Sequence, residues 1–293
     1  MAAGLSCGIS PMNPVHPTDQ ELKQAYQVIK GDQIPSIPDI LLSIYTELEK
    51  PDPNTRHVSE LVAQDQAITG KVLKAVNSPK FGLKQPVESI SQAVVLLGLA
   101  QIRNLVTAAT FQNQVKAQSP GARQIWHDSL NVAQVGLQIA YHVEGISQDE
   151  AYLLGLLHDC GALLLSEKFP LYEQIHTLEN EYPVGLINKE IQHMGTNHTI
   201  IGYLFASHWK LPEPICQAIY LHHTLSCEGI ENDRVRALIA TLKIAHALVK
   251  ERSLPESAFS LERVQYLAYA KQELMLDDEL LDELRTEAVL ELD

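Results

Sequence analysis

This sequence predicts an all-α fold, and three observations carry the prediction. Apolar residues recur at i, i+3 and i+4 almost everywhere from Thr18 onward. No run alternates with period two as a half-buried strand would. Helix-start residues and prolines punctuate the pattern at intervals suited to short packed helices.

Each element follows from its own residues. Positions 1–17, with Pro11, Pro14 and Pro17 among small residues, read as a disordered leader. Thr18 is placed to cap a first helix whose stripe is Leu22, Tyr26 and Ile29. Pro38 opens a second, carrying Ile40, Leu41, Ile44, Tyr45 and Leu48 before Pro51. Amphipathic pieces follow around Val58–Val62 and Ile68–Val76, then a Pro- and Gly-containing loop from Asn77 to Pro86 and a long apolar segment from about Ile90. Ser119, Pro120 and Gly121 mark a break before a helix over about 122–143. Ser147 with Glu150 forms a capping box for a helix running through His158 to about Glu167. Further helices fit 170–181, 184–193, 197–208, 213–222, 234–252, 261–272 and 277–291.

Composition narrows the function classes. The chain has 293 residues, 45% hydrophobic and 20% charged, enough for one large or two ordinary globular domains. Its longest apolar stretch, Ala93 to Ala100, is far short of a membrane span, and no secretory signal is evident. Four cysteines without a CxxC pair predict reduced thiols and a cytoplasmic location. The net charge of −14 lies entirely after residue 143, where 25 acidic residues face 11 basic ones. Such a surface repels phosphate backbones, so general nucleic-acid binding and anionic membranes are disfavoured. One local exception is the acid-free window 66–87, with Lys71, Lys74, Lys80 and Lys84. It reads first as a solvated helix face, and second as a weak site for a nucleotide phosphate.

Ten of the 12 histidines fall between residues 127 and 246, so any chemistry is sought there. The sharpest feature is His158–Asp159 inside the apolar run Gly155-Leu-Leu-His-Asp-Cys-Gly161. A buried His–Asp pair needs partners, and two readings stand level: a divalent metal, or a hydrogen-bonded staple between helices. Further donors must come from other helices, the candidates being His127 or Asp128, His198, His222, His223 and His246. His16, His57, His142, His176, His193 and His208 read as surface or terminal residues without a partner, and Trp126 and Trp209 as packing anchors.

Four stretches resemble one family: IPSIPDIL (34–41), the long segment 64–106, LLHDCGALLL (156–165) and NHTIIGYLFASHWKLPEPICQAIYLHH (197–223). Together they resemble the HDOD subgroup of the HD superfamily of metal-dependent phosphohydrolases, the HD-related output domains of bacterial signalling proteins. The resemblance implies an HDOD-specific helical subdomain over 18–118, an HD-like bundle over 119–255 and acidic C-terminal helices over 256–293. An active HD site resembles H…HD…D. His158 and Asp159 match its centre, but the first position reads Asp128, with His127 displaced by one residue and turned ~100° around the helix. The last position reads His246 after Ala245, and Ala162 stands where HD-GYP relatives have a lysine. His198, His222 and His223 match second-metal positions of those relatives.

These altered outer positions imply a non-catalytic signalling or regulatory module acting through a protein partner, with a degenerate metal site. The alternative is a divergent phosphohydrolase whose Asp128, His158, Asp159 and His246, with His198, His222 and His223, hold divalent Mn, Fe, Zn or Ni. No cofactor is required by the first reading.

Overall fold

A computed structural model describes residues 15–29, 34–78, 83, 85–180, 182–251 and 260–292. Most of the leader, Cys7, Lys80 and Lys84 lie outside the described residues. Every regular element among those described is helical, as periodicity predicts. In order they are α1 (Asp19–Ile29), α2 (Asp39–Leu48), α3 (Thr55–Ala63), α4 (Gln66–Val76), α5 (Ile90–Leu97), α6 (Leu99–Gln114), α7 (Pro120–Tyr141), α8 (Gln148–Leu157) and α9 (Cys160–Lys168). There follow α10 (Tyr172–His176), α11 (Pro183–Met194), α12 (His198–His208), α13 (Glu213–Leu221), α14 (Asp233–Glu251), α15 (Leu261–Glu273) and α16 (Asp278–Leu292).

Side-chain caps set most starts. Thr18 Oγ1 accepts from the Glu21 N–H while Glu21 returns a carboxylate to Thr18, and Asn54, Asp65, Ser89, Ser119, Asn197 and Ser260 each cap the helix that follows. The Ser147–Glu150 capping box forms as predicted. Two boundaries differ from the sequence reading. The helix expected to run through His158 is two helices, α8 and α9, broken at His158–Asp159. The helix expected over 170–181 is only α10, followed by a 3-10 turn at 177–180.

The early helices α2 to α6 pack on one another, and α6 also lies on α8. The later helices build a bundle in which α8 packs against α7 and α14, and α9 against α12. Phe111 of α6 meets Trp126, Phe205 and Trp209 edge-on at centroid distances of 5.8, 5.4 and 6.0 Å, making an aromatic junction between early and late helices. Trp209, fully buried, also donates its indole N–H to Pro35 O at 2.8 Å, which ties the IPSIPDIL stretch to α12. In the acidic tail, Leu276 and Leu284 are buried and Arg285 pairs with Glu251, so this segment docks on the body. No described helix is long and apolar enough to cross a membrane. Cys160, Cys216 and Cys227 are free and buried.

Candidate metal centre

The break between α8 and α9 is what creates the site. Gly155 and Gly161 flank it, and both are forced by close backbone approach. A Cβ on Gly161 would sit 2.1 Å from His198 O, and one on Gly155 would sit 2.6 Å from Ala133 Cα. Helix α9 therefore lies directly on the start of α12, and α8 on α7. His158 donates Nδ1–H to Gly155 O at 2.8 Å, which aims Nε2 away from its own helix.

Asp159 is the hub. Its Oδ2 lies 3.3 Å from His158 Nε2 and 3.5 Å from His176 Nε2. Its Oδ1 lies 3.5 Å from His198 Nε2 and 3.9 Å from His222 Nε2, and these two nitrogens are 3.3 Å apart. His223 stacks at a centroid distance of 4.2 Å on His222 and 4.8 Å from His198. His246, from α14, meets the His158 ring edge-on at 5.9 Å. The structure thus brings together His158, Asp159, His198, His222, His223 and His246. Asp128 does not join them. Its carboxylate pairs with Lys250 at 2.6 Å, one turn of α14 beyond His246, and accepts from Gln124. His127 is exposed, as its one-residue displacement predicts.

Outer partners fix the rings. His198 Nδ1 lies 2.8 Å from both oxygens of Glu190, which also accepts the His198 backbone N–H and, at 2.6 Å, the Tyr172 hydroxyl. His222 donates Nδ1–H to Ile219 O at 2.7 Å, and Tyr266 donates to His222 O. Because each Nδ1 faces an acceptor, the Nε2 atoms of His158, His198 and His222 turn toward the Asp159 carboxylate. Burial, followed by the neighbouring His223, His198 and His158, holds His222 well below the usual imidazole range, so it is neutral. Burial pushes the Asp159 carboxyl up, yet His158 and then His176 outweigh it and leave the group well below the ordinary carboxylate range. The imidazole nitrogens that face this ionised carboxylate carry either a proton, as the lowering by His158 and His176 requires, or a shared cation. The donor set therefore fits a divalent transition ion, and His198, His222 and His223 each offer one atom within 4.8 Å of the others.

Two residues were missed by sequence reasoning. His176, assigned to the surface, is only 9% exposed and touches Asp159. Glu190, fully buried, carries no local signal except its position eight residues before His198. His16, also read as partnerless, contacts Tyr203 and Glu213.

Comparison with known proteins adds lineage. The HDOD domain profile matches residues 34–225. An uncharacterized protein of Treponema pallidum is 28% identical over 248 residues, 80% of this chain and 47% of that protein. A Vibrio cholerae protein named cyclic di-GMP phosphodiesterase CdgJ is 27% identical over 170 residues, 55% of this chain and 39% of that one. The chain thus spans about half or less of the length of these curated relatives. A crystal structure of a Geobacter sulfurreducens HDOD domain protein of unknown function is 26% identical, with a TM-score of 0.61 over 94% of this chain and 99% of that one.

Proposed function

The chain belongs to the HDOD domain family, and from that premise we propose that it is a non-catalytic bacterial signalling module that passes a state to a protein partner through surface contacts. One observation carries the reading: the cluster is enclosed. His158, Asp159, His198, His222 and His223 are at most 4% exposed. A phosphodiester is too bulky to reach an ion held there without displacing packed helices. The Asp128–Lys250 pair supports the same reading, because a carboxylate neutralised by an ammonium is a poor metal ligand. A cavity of about 580 Å³ does open beside α9, lined by Phe111, Leu163 and Phe205, but none of the His and Asp side chains of the cluster borders it.

An ion in the cluster is compatible with this function. His198, His222, His223 and Asp159 would hold it, and it would supply Lewis acidity where a water or substrate position existed. In an enclosed site the same side chains instead tie α9, α12 and α13 together. The HDOD-specific and HD-like subdomains, 18–118 and 119–255, would act as the two bodies whose relation the module reports. The acidic second half favours a basic partner face.

The divergent-phosphohydrolase reading keeps one supporting observation, the metal-compatible donor set itself. A turnover panel separates the two. Protein reconstituted with Mn²⁺, Fe²⁺, Ni²⁺ or Zn²⁺ is expected to leave cyclic di-GMP and simple phosphoesters intact. Hydrolysis lost on Asp159→Ala would establish the enzyme instead.

A further inference from the structure

We propose that His176 is a donor of the metal centre, for a divalent cation of the Mn, Fe, Ni or Zn class. The inference rests on the metal-compatible reading of the cluster and is independent of whether the centre turns anything over. Its Nε2 lies 3.5 Å from Asp159 Oδ2, the same oxygen that lies 3.3 Å from His158 Nε2. Two donors bound to one ion at about 2.0–2.2 Å, at tetrahedral or octahedral angles, lie about 3.0–3.5 Å apart. The spacing around Oδ2 therefore accommodates a shared ion.

Helix α10 is committed to this role along its inner face. Tyr172 and His176 stand one turn apart, and both are directed into the cluster, Tyr172 onto Glu190 and His176 onto Asp159. The His176 ring also lies 6.4 Å from that of His198, so it borders both donors. The competing role for His176 is a polar staple that merely pairs with Asp159. Metal binding distinguishes the two, because a staple predicts a stability change without a change in coordination.

The test uses the full chain, stripped with chelator and titrated with Co²⁺ followed by visible absorption, and with Zn²⁺ by calorimetry. Wild type, His176→Ala, His176→Gln and Asp128→Ala are compared, with circular dichroism confirming that each is folded. Both His176 variants are expected to lower metal affinity at least about tenfold and to change the Co²⁺ ligand-field bands. Asp128→Ala is expected to leave affinity within about twofold and the bands unchanged. If His176→Ala fails to fold, the glutamine variant, which keeps a polar side chain there, carries the measurement. The proposal is overturned if a folded His176 variant keeps wild-type affinity and spectrum, if Asp128→Ala weakens binding as much, or if the wild type binds neither ion. None of those results would restore catalysis, and phosphoester turnover would sink the module reading while leaving this one standing.

Discussion

Gly161 and Lys243 show how single residues hold the centre in place. Any Cβ at position 161 collides with the His198 carbonyl, a backbone atom that cannot rotate away. Gly161→Ala should therefore cost more than about 3 kcal/mol in urea unfolding, or prevent folding. Glu190→Ala strips His198 and Tyr172 of a fully buried carboxylate and should cost about 3–5 kcal/mol, whereas Glu190→Gln should cost less. Lys243 is buried 4.2 Å over the Tyr266 ring and donates to Thr224 O and Leu225 O, at the turn that follows His223. Burial pulls its ammonium down to about 8, from an ordinary 10.5, with Cys227 and Glu273 opposing. Between those two pH values the unfolded chain holds one more proton than the folded one, so this group's contribution to stability rises with pH across that window. Below pH 8 the cost of burying the charge is felt in full. Relative to Lys243→Met, the wild type should therefore gain on the order of 3 kcal/mol between pH 7.5 and 10.5 in paired denaturant titrations. A difference independent of pH would contradict the buried-cation account.

At the scale of elements, periodicity and capping made most helices readable, because a stripe at i, i+3, i+4 and a Ser, Thr, Asn or Asp before it are local signals. The α8–α9 break was not readable. The run 156–165 is apolar apart from His158 and Asp159, with no proline to mark a turn, and the close packing of α9 on α12 at Gly161 is tertiary. The same limit hid the role of His176, although a helix over 170–181 was predicted around it. His176 looked like a surface residue because its partner, Asp159, is 17 positions away and meets it only through the tertiary fold. His158, Asp159, His198, His222 and His223 were legible because the family resemblance marks them, while Glu190 has no such mark. The IPSIPDIL stretch offers a sharper test of element packing. Trp209→Phe removes the bond to Pro35 O while keeping the aromatic junction with Phe111, and should cost about 1 kcal/mol by denaturant unfolding. No loss would mean that this stretch is not anchored through the indole.

Among the described residues a large apolar core surrounds the buried His and Asp cluster, and the core carries the fold. More than sixty hydrophobic side chains are buried in it. Chelation should accordingly leave the far-ultraviolet circular dichroism spectrum unchanged, with at most a lower melting temperature. Collapse of the helical signal on chelation would mean that the ion, not the core, specifies the structure. The asymmetric charge, neutral before residue 144 and strongly acidic after it, places the negative potential on the later helices. On the proposed function the His and Asp cluster braces the packed helices and does not react. The most direct measurement is phosphoester turnover, with cyclic di-GMP included, by chain reconstituted with each candidate metal and compared with Asp159→Ala. The account predicts that the two give the same background rate with every ion. A metal-dependent rate in the wild type that disappears in Asp159→Ala would contradict it.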